Sequence, residues 1–270
     1  MAMSRDANFV KELFGKIDTA WDPQLILSFI KKMQKEIAIL SKRDPGVIAL
    51  GAAVAMTESP NTVKLVKALL DLKADVNEAV SYQKSFHFPL IAAARNGSEK
   101  TINLLLDPKV NVKINMKQGA EGINALMSAT VMKYPKIVTK LLDAKANVNA
   151  KSNIGNPAII YSSDAQITKI LLERKADVNS QNNDKTTSLI CAVYRDQKEV
   201  VQTLLDFRAD VNLKNNKGFT ALQYSSCAKH LKKKNAVAIY GLLNAENKGS
   251  QSITQKESSQ VSRPLKRLKS

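Results

Sequence analysis

The 270-residue sequence predicts an all-α solenoid of stacked helix-turn-helix units with long loops, preceded by a helical cap and followed by a disordered tail. Three observations predict it. A segment with a Leu-Leu pair and an Ala-Asp-Val-Asn-like ending recurs five times, a short apolar block precedes each copy, and 44% apolar residues are enough to bury a core.

Residues 1–44 are expected to form the cap. Phe9, Val10, Leu13, Phe14 and Ile17 make one helical stripe; Asp22-Pro23 then supplies a cap with proline at the first helical position. Leu25, Ile26, Phe29, Ile30, Met33, Ile37 and Leu40 make a second stripe, suited to covering the open end of a stack. No Leu-Pro signature marks it as an F-box-like docking module.

Residues 45–244 are read as about six repeat units, with divergent units at both ends. The recurring segment runs Leu69 to Asn77, Leu105 to Val112, Leu141 to Asn149, Leu171 to Asn179 and Leu204 to Asn212. Counted through Asp75, Asn111, Asn147, Asp177 and Asp210, the steps are 36, 36, 30 and 33 residues. The preceding blocks are Phe88-Pro89-Leu90-Ile91, Asn124-Ala125-Leu126-Met127, Asn156-Pro157-Ala158-Ile159, Thr187-Ser188-Leu189-Ile190 and Thr220-Ala221-Leu222-Gln223. Four open on Asn or Thr, whose side chains can satisfy the free amides of a helix start. Apolar residues at helical spacing, such as Leu189, Ala192 and Val193, then mark a first helix, and Val201, Leu204 and Leu205 a second.

Period, helix start and Leu-Leu-x-x-x-Ala-Asp-Val-Asn ending together resemble the ankyrin repeat. The resemblance implies an ankyrin-repeat solenoid whose loops project as fingers and, with the first helices, line a concave face that binds a protein partner. Two departures stand out. Ile91, Met127, Ile159, Ile190 and Gln223 replace the usual histidine, and Lys73, Lys109, Lys145, Lys175 and Arg208 occupy the usual place of a glycine that ends the second helix. If that place stays left-handed, each substitution costs about 1 kcal/mol.

Charge bounds the choice of partner. Lys and Arg number 41 against 24 Asp and Glu, a net +17, of which the first 45 residues hold +2, the tail +4 and the repeats +11. The helix-end bases face an acid two positions earlier in every copy (Asp71, Asp107, Asp143, Glu173, Asp206), and cations are favoured there by the helix dipole. A structural role follows for that column. The loops carry Lys84, Lys113, Lys117, Lys151, Lys185, Lys214 and Lys217 against Glu78, Glu121 and Asp184, so an acidic partner surface is expected there. The long first loop adds Tyr82, Phe86, His87 and Phe88 as candidate binding anchors.

Residues 245–270 are Ser-, Gln- and Lys-rich with few large apolar side chains, and are expected to be disordered. Within them Arg263, Lys266, Arg267 and Lys269 resemble a nuclear-import run. Bias to Lys, Asn and Ile together with a polar tail also resembles effector proteins that intracellular bacteria deliver into host cells.

Catalytic chemistry is not expected. Cys227 and His230 share a helix face, but zinc needs two further ligands and only Cys191 and His87 remain. No glycine-rich phosphate loop or close carboxylate pair is present, so no cofactor or metal is predicted. The longest uncharged apolar run, Val47 to Met56, is about half a membrane span, and no signal peptide is read at the start. Two cysteines fit a reducing, intracellular and cytoplasmic setting. Nucleic acid or anionic lipid is the alternative partner, weakened by 5% aromatic content, and a monomer is expected.

Overall fold

The computed structural model describes residues 50, 60–78, 80–82, 85–230 and 234–247. The cap helices expected over 5 to 41, Lys84, and the tail from 248 with Arg263, Lys266, Arg267 and Lys269 lie outside the described residues. For 80–82, 85–87 and 227–230 the backbone alone is described.

In chain order the elements are α1 (Pro60–Asp71), β1 (Val80–Tyr82), β2 (Ser85–His87), α2 (Pro89–Asn96), α3 (Glu99–Leu105), α4 (Ala125–Val131), α5 (Pro135–Asp143), α6 (Ala158–Tyr161), α7 (Ala165–Glu173), α8 (Ser188–Tyr194), α9 (Lys198–Asp206) and α10 (Ala221–His230). A further helix, α11, covers 236–247, so the chain is still helical at the first residues assigned to the tail. The expected all-α solenoid is present. The long first loop adds one feature, a two-stranded antiparallel hairpin with Val80 opposite His87 and Tyr82 opposite Ser85.

First helices stack in one row, α2 on α4, α4 on α6, α6 on α8 and α8 on α10; second helices stack in another, α1 on α3, α3 on α5, α5 on α7 and α7 on α9. The leading leucine of every pair, Leu69, Leu105, Leu141, Leu171 and Leu204, is fully buried between the rows. Truncating any of them to Ala removes about 2–5 kcal/mol of transfer and packing energy. No unit buries this face alone, which is why the repeats must stack.

Helix starts follow the Asn/Thr pattern. Asn124 Oδ1 accepts from Met127 N at 2.9 Å, and Thr187 Oγ1 from Ile190 N at 3.2 Å. Thr220 Oγ1 accepts from Gln223 N while Gln223 Oε1 accepts from Thr220 N, a reciprocal capping box closed by the residue standing where histidine is usual. Asn156 differs. Pro157 is the cap residue of α6, and the Asn156 carbonyl oxygen accepts from Asn182 Nδ2 of the next finger at 2.8 Å.

Helix ends explain the basic residues. In the units ending in α1, α5, α7 and α9, Lys73 (φ 62°), Lys145 (68°), Lys175 (69°) and Arg208 (62°) are left-handed. The amide after each reaches back to the leading leucine, as in Ala146 N to Leu141 O at 2.9 Å, and the following Ala74, Ala146, Ala176 or Ala209 packs into the core. This is the closure that glycine ordinarily serves.

The second unit corrects the sequence register. Lys109 has no positive φ; Asn111 (φ 53°) takes the left-handed place instead. Asn77 Oδ1 accepts from Lys113 N, Asn115 Oδ1 from Asn147 N, Asn149 Oδ1 from Asp177 N and Asn179 Oδ1 from Asp210 N. Lys113, not Asn111, is therefore the structural equivalent of Asn147. The steps become 38, 34, 30 and 33 residues. Pro108-Lys109 is a two-residue insertion, and proline cannot continue the helix. The basic helix-end column thus has four members, and the second loop is shorter than Asn111 had suggested.

Candidate protein-binding surface

The fingers are held to one another by asparagines. Asn153, Asn183 and Asn216 occupy equivalent places near the tips; their side-chain amides donate to Ala120 O, Asn153 O and Asn183 O of the preceding finger at 2.9, 3.2 and 3.2 Å. Their backbone amides donate to Glu121 O, Ile154 O and Asp184 O. Each tip turn needs a left-handed residue: Gly122, Gly155, Lys185 and Gly218. At Gly155 a Cβ would collide with Asn183, reaching its backbone nitrogen at 2.7 Å, whereas at Gly218 it would meet nothing within 4 Å.

On this frame the loop lysines separate into three groups. Lys117, Lys151 and Lys214 are equivalent in three fingers, with Gln181 in the intervening one. Gln181 Nε2 donates to Lys185 O at 2.7 Å and Lys214 O at 3.1 Å, and its own carbonyl accepts from Lys151 Nζ at 2.8 Å. Lys185 and Lys217 stand at finger tips. Lys113 belongs to the start of its loop, where its amide is bound by Asn77. All six are exposed, and among the described residues none is ion-paired with a carboxylate. The second-helix side differs: Lys136 pairs with Glu99 at 3.8 Å, Lys169 with Glu173 at 3.9 Å and Arg174 with Asp143 at 2.7 Å. The Asp143 partner belongs to the next unit.

The aromatic expectation is met differently. Tyr82, Phe86 and His87 are placed as backbone positions of the hairpin. Phe88 is half-buried against the core, its amide donating to Gln118 Oε1 at 3.0 Å, so it is a packing residue and not an exposed anchor. Exposed apolar side chains instead project from the ends of the first helices: Val131 (47% exposed), Met132 (42%) and Tyr194 (65%). Tyr194 meets Tyr224 edge-on at 6.2 Å, and Phe219 lies 5.4 Å from Tyr224. Sequence reasoning missed these residues because they follow directly on the buried helical stripe and look like its continuation. The available signal was phase: Ala192 and Val193 complete the stripe, and Tyr194 turns past it.

Reactive chemistry is not assembled here. Burial pushes the Cys191 thiol up, with Arg195 drawing it partly back, so the neutral thiol predominates at neutral pH. Among the described residues no group of three His, Cys, Asp or Glu could hold a metal, and no helix is long and apolar enough to cross a membrane. Cys227 and His230 lie on α10.

Stacked helix pairs with hydrogen-bonded fingers define a repeat scaffold that displays one broad surface. The family model for ankyrin repeats matches residues 50–152 and 158–243 in three copies, and the chain belongs to the ankyrin-repeat family. The break at 153–157 falls on the finger of the shortest unit. A putative ankyrin repeat protein of fowlpox virus (strain NVSL) is 31% identical over 129 residues; the match covers 46% of this chain and 37% of the viral protein. Ankyrin repeats generally mediate protein–protein interaction.

Proposed function

We propose that the protein is a non-enzymatic interaction module binding an acidic protein surface across its first helices and fingers. One observation carries the reading: the finger lysines lack carboxylate partners while bases on the second-helix side are paired. Unpaired ammonium groups on fingers tied together by the asparagine ladder form a positive field that steers and orients an acidic partner. The low cysteine content puts this activity in a reducing, intracellular compartment.

Affinity purification with the intact chain, beside a Lys117→Glu, Lys185→Glu, Lys217→Glu variant, tests the reading. The acidic partner is expected to be lost from the variant. It should also be released as salt rises from about 0.1 M to about 1 M, where the screening length falls from about 10 Å to about 3 Å. Capture unchanged by reversal or by salt defeats the proposal. The net charge of +17 also favours nucleic acid as a second reading, which tight, salt-sensitive binding of generic duplex in a mobility-shift assay would establish in its place.

A further inference from the structure

The fourth unit is short in a place that shapes the proposed binding face. Between the start of the first helix and the second helix, Ala158 to Leu172 spans 14 residues, whereas Leu126 to Leu142 and Leu189 to Leu205 span 16. The deletion falls in the first helix: α6 has four residues where α4 and α8 have seven. In all three units the second helix begins four residues after the first ends, so Tyr161 corresponds to Val131 and Tyr194. Two missing residues draw that helix end back by about 3 Å, at 1.5 Å per residue.

Exposure follows the retreat. Tyr161 is half-buried, its hydroxyl donating to Ser152 Oγ at 3.3 Å, while Val131 and Tyr194 on either side are 47% and 65% exposed. Arg195 leans across the step and donates from Nη1 to Ile160 O at 3.0 Å, occupying a carbonyl of the shortened helix. Apolar surface thus flanks an indentation, with exposed Lys133 beside Met132 on one side and exposed Arg195 beside Tyr194 on the other. The nearby acids are engaged: Asp164 Oδ1 caps α7 by accepting from Ile167 N, and Asp196 Oδ2 accepts from Asn235 N.

We infer that this indentation is an anchor site for a protein segment carrying one large apolar side chain flanked by acidic residues. The apolar side chain would seat over Tyr161 between Met132 and Tyr194, and the flanking carboxylates would meet Lys133 and Arg195. The inference rests on the proposed role of this face and names the shape of what binds there. Partially desolvated apolar contacts at the centre of a surface, ringed by charge, are where binding energy concentrates.

The test is selection of a random twelve-residue peptide display library on the full chain, followed by fluorescence anisotropy with the enriched peptides. Enrichment of a single Leu, Ile, Met or Phe flanked by Asp or Glu is expected. Val131→Glu and Met132→Glu should each weaken such peptides at least tenfold with unfolding temperature unchanged; Tyr194→Ser serves as a third variant, since Tyr194 also packs on Tyr224. Acidic peptides that tolerate all three changes but fail on Lys185→Glu, Lys217→Glu overturn the anchor and leave the broader function standing. Recovery of no acidic peptide overturns both.

Discussion

The second and fourth units depart from the repeat in opposite senses, and their fates differ. Two extra residues, Pro108 and Lys109, follow α3, while two residues are missing from α6. The insertion is absorbed in a turn. α3 still stacks between α1 and α5, the asparagine bonds resume at Asn77 and Asn115, and the widened turn opens a cavity of about 490 Å³ toward α1, lined by residues that include Leu70, Val110 and Asp107. The deletion has no turn to absorb it, because a first helix meets its second through a fixed three-residue link. It changes the surface presented by the first-helix row. Where a length change falls, more than its size, decides whether the exposed face is altered.

The sharpest way to break this comparison is at the finger of the fourth unit. Gly155→Ala forces a Cβ onto the Asn183 backbone in a left-handed turn and should cost about 2–4 kcal/mol in chemical denaturation. Gly218→Ala, left-handed but in open space, should cost about 1 kcal/mol. Equal losses would show that the finger contacts of the fourth unit carry no special weight.

A smaller effect separates the helix ends. Lys145→Gly relieves a left-handed lysine and should stabilise by up to about 1 kcal/mol, while Lys109→Gly, outside that conformation, should be neutral or slightly destabilising. A gain at Lys109 equal to that at Lys145 would refute the shifted register. The smallest effect is expected from deleting Pro108 and Lys109 together. Asn111 then follows Asp107 by two positions, as Lys145 follows Asp143, and the unfolding free energy should change by less than about 1 kcal/mol. Loss of folding would mean that the insertion supports the stack.

Much of the molecule was legible in the linear text. Leu-Leu pairs at the repeat period mark residues that are fully buried, and Asn124, Thr187 and Thr220 cap the helices their positions announce. Register in the second unit was harder to see, because Asn111-Val112 and Asn115 both imitate the Val-Asn ending, and only the partner of each amide distinguishes them. The candidate surface was legible in its charges and not in its apolar part. Lysines announce themselves by type, but whether Val131 or Tyr194 faces core or solvent depends on helix phase and on the neighbouring unit.

Sequence alone therefore determined the class of architecture, the core and the charge of the fingers, since burial and capping are local consequences of residue type at fixed spacing. Tertiary structure decided which turn took up the insertion, which helix lost its end and which apolar side chains were left exposed between units. Those outcomes depend on what the adjacent repeat covers, and no single repeat encodes its neighbour's surface.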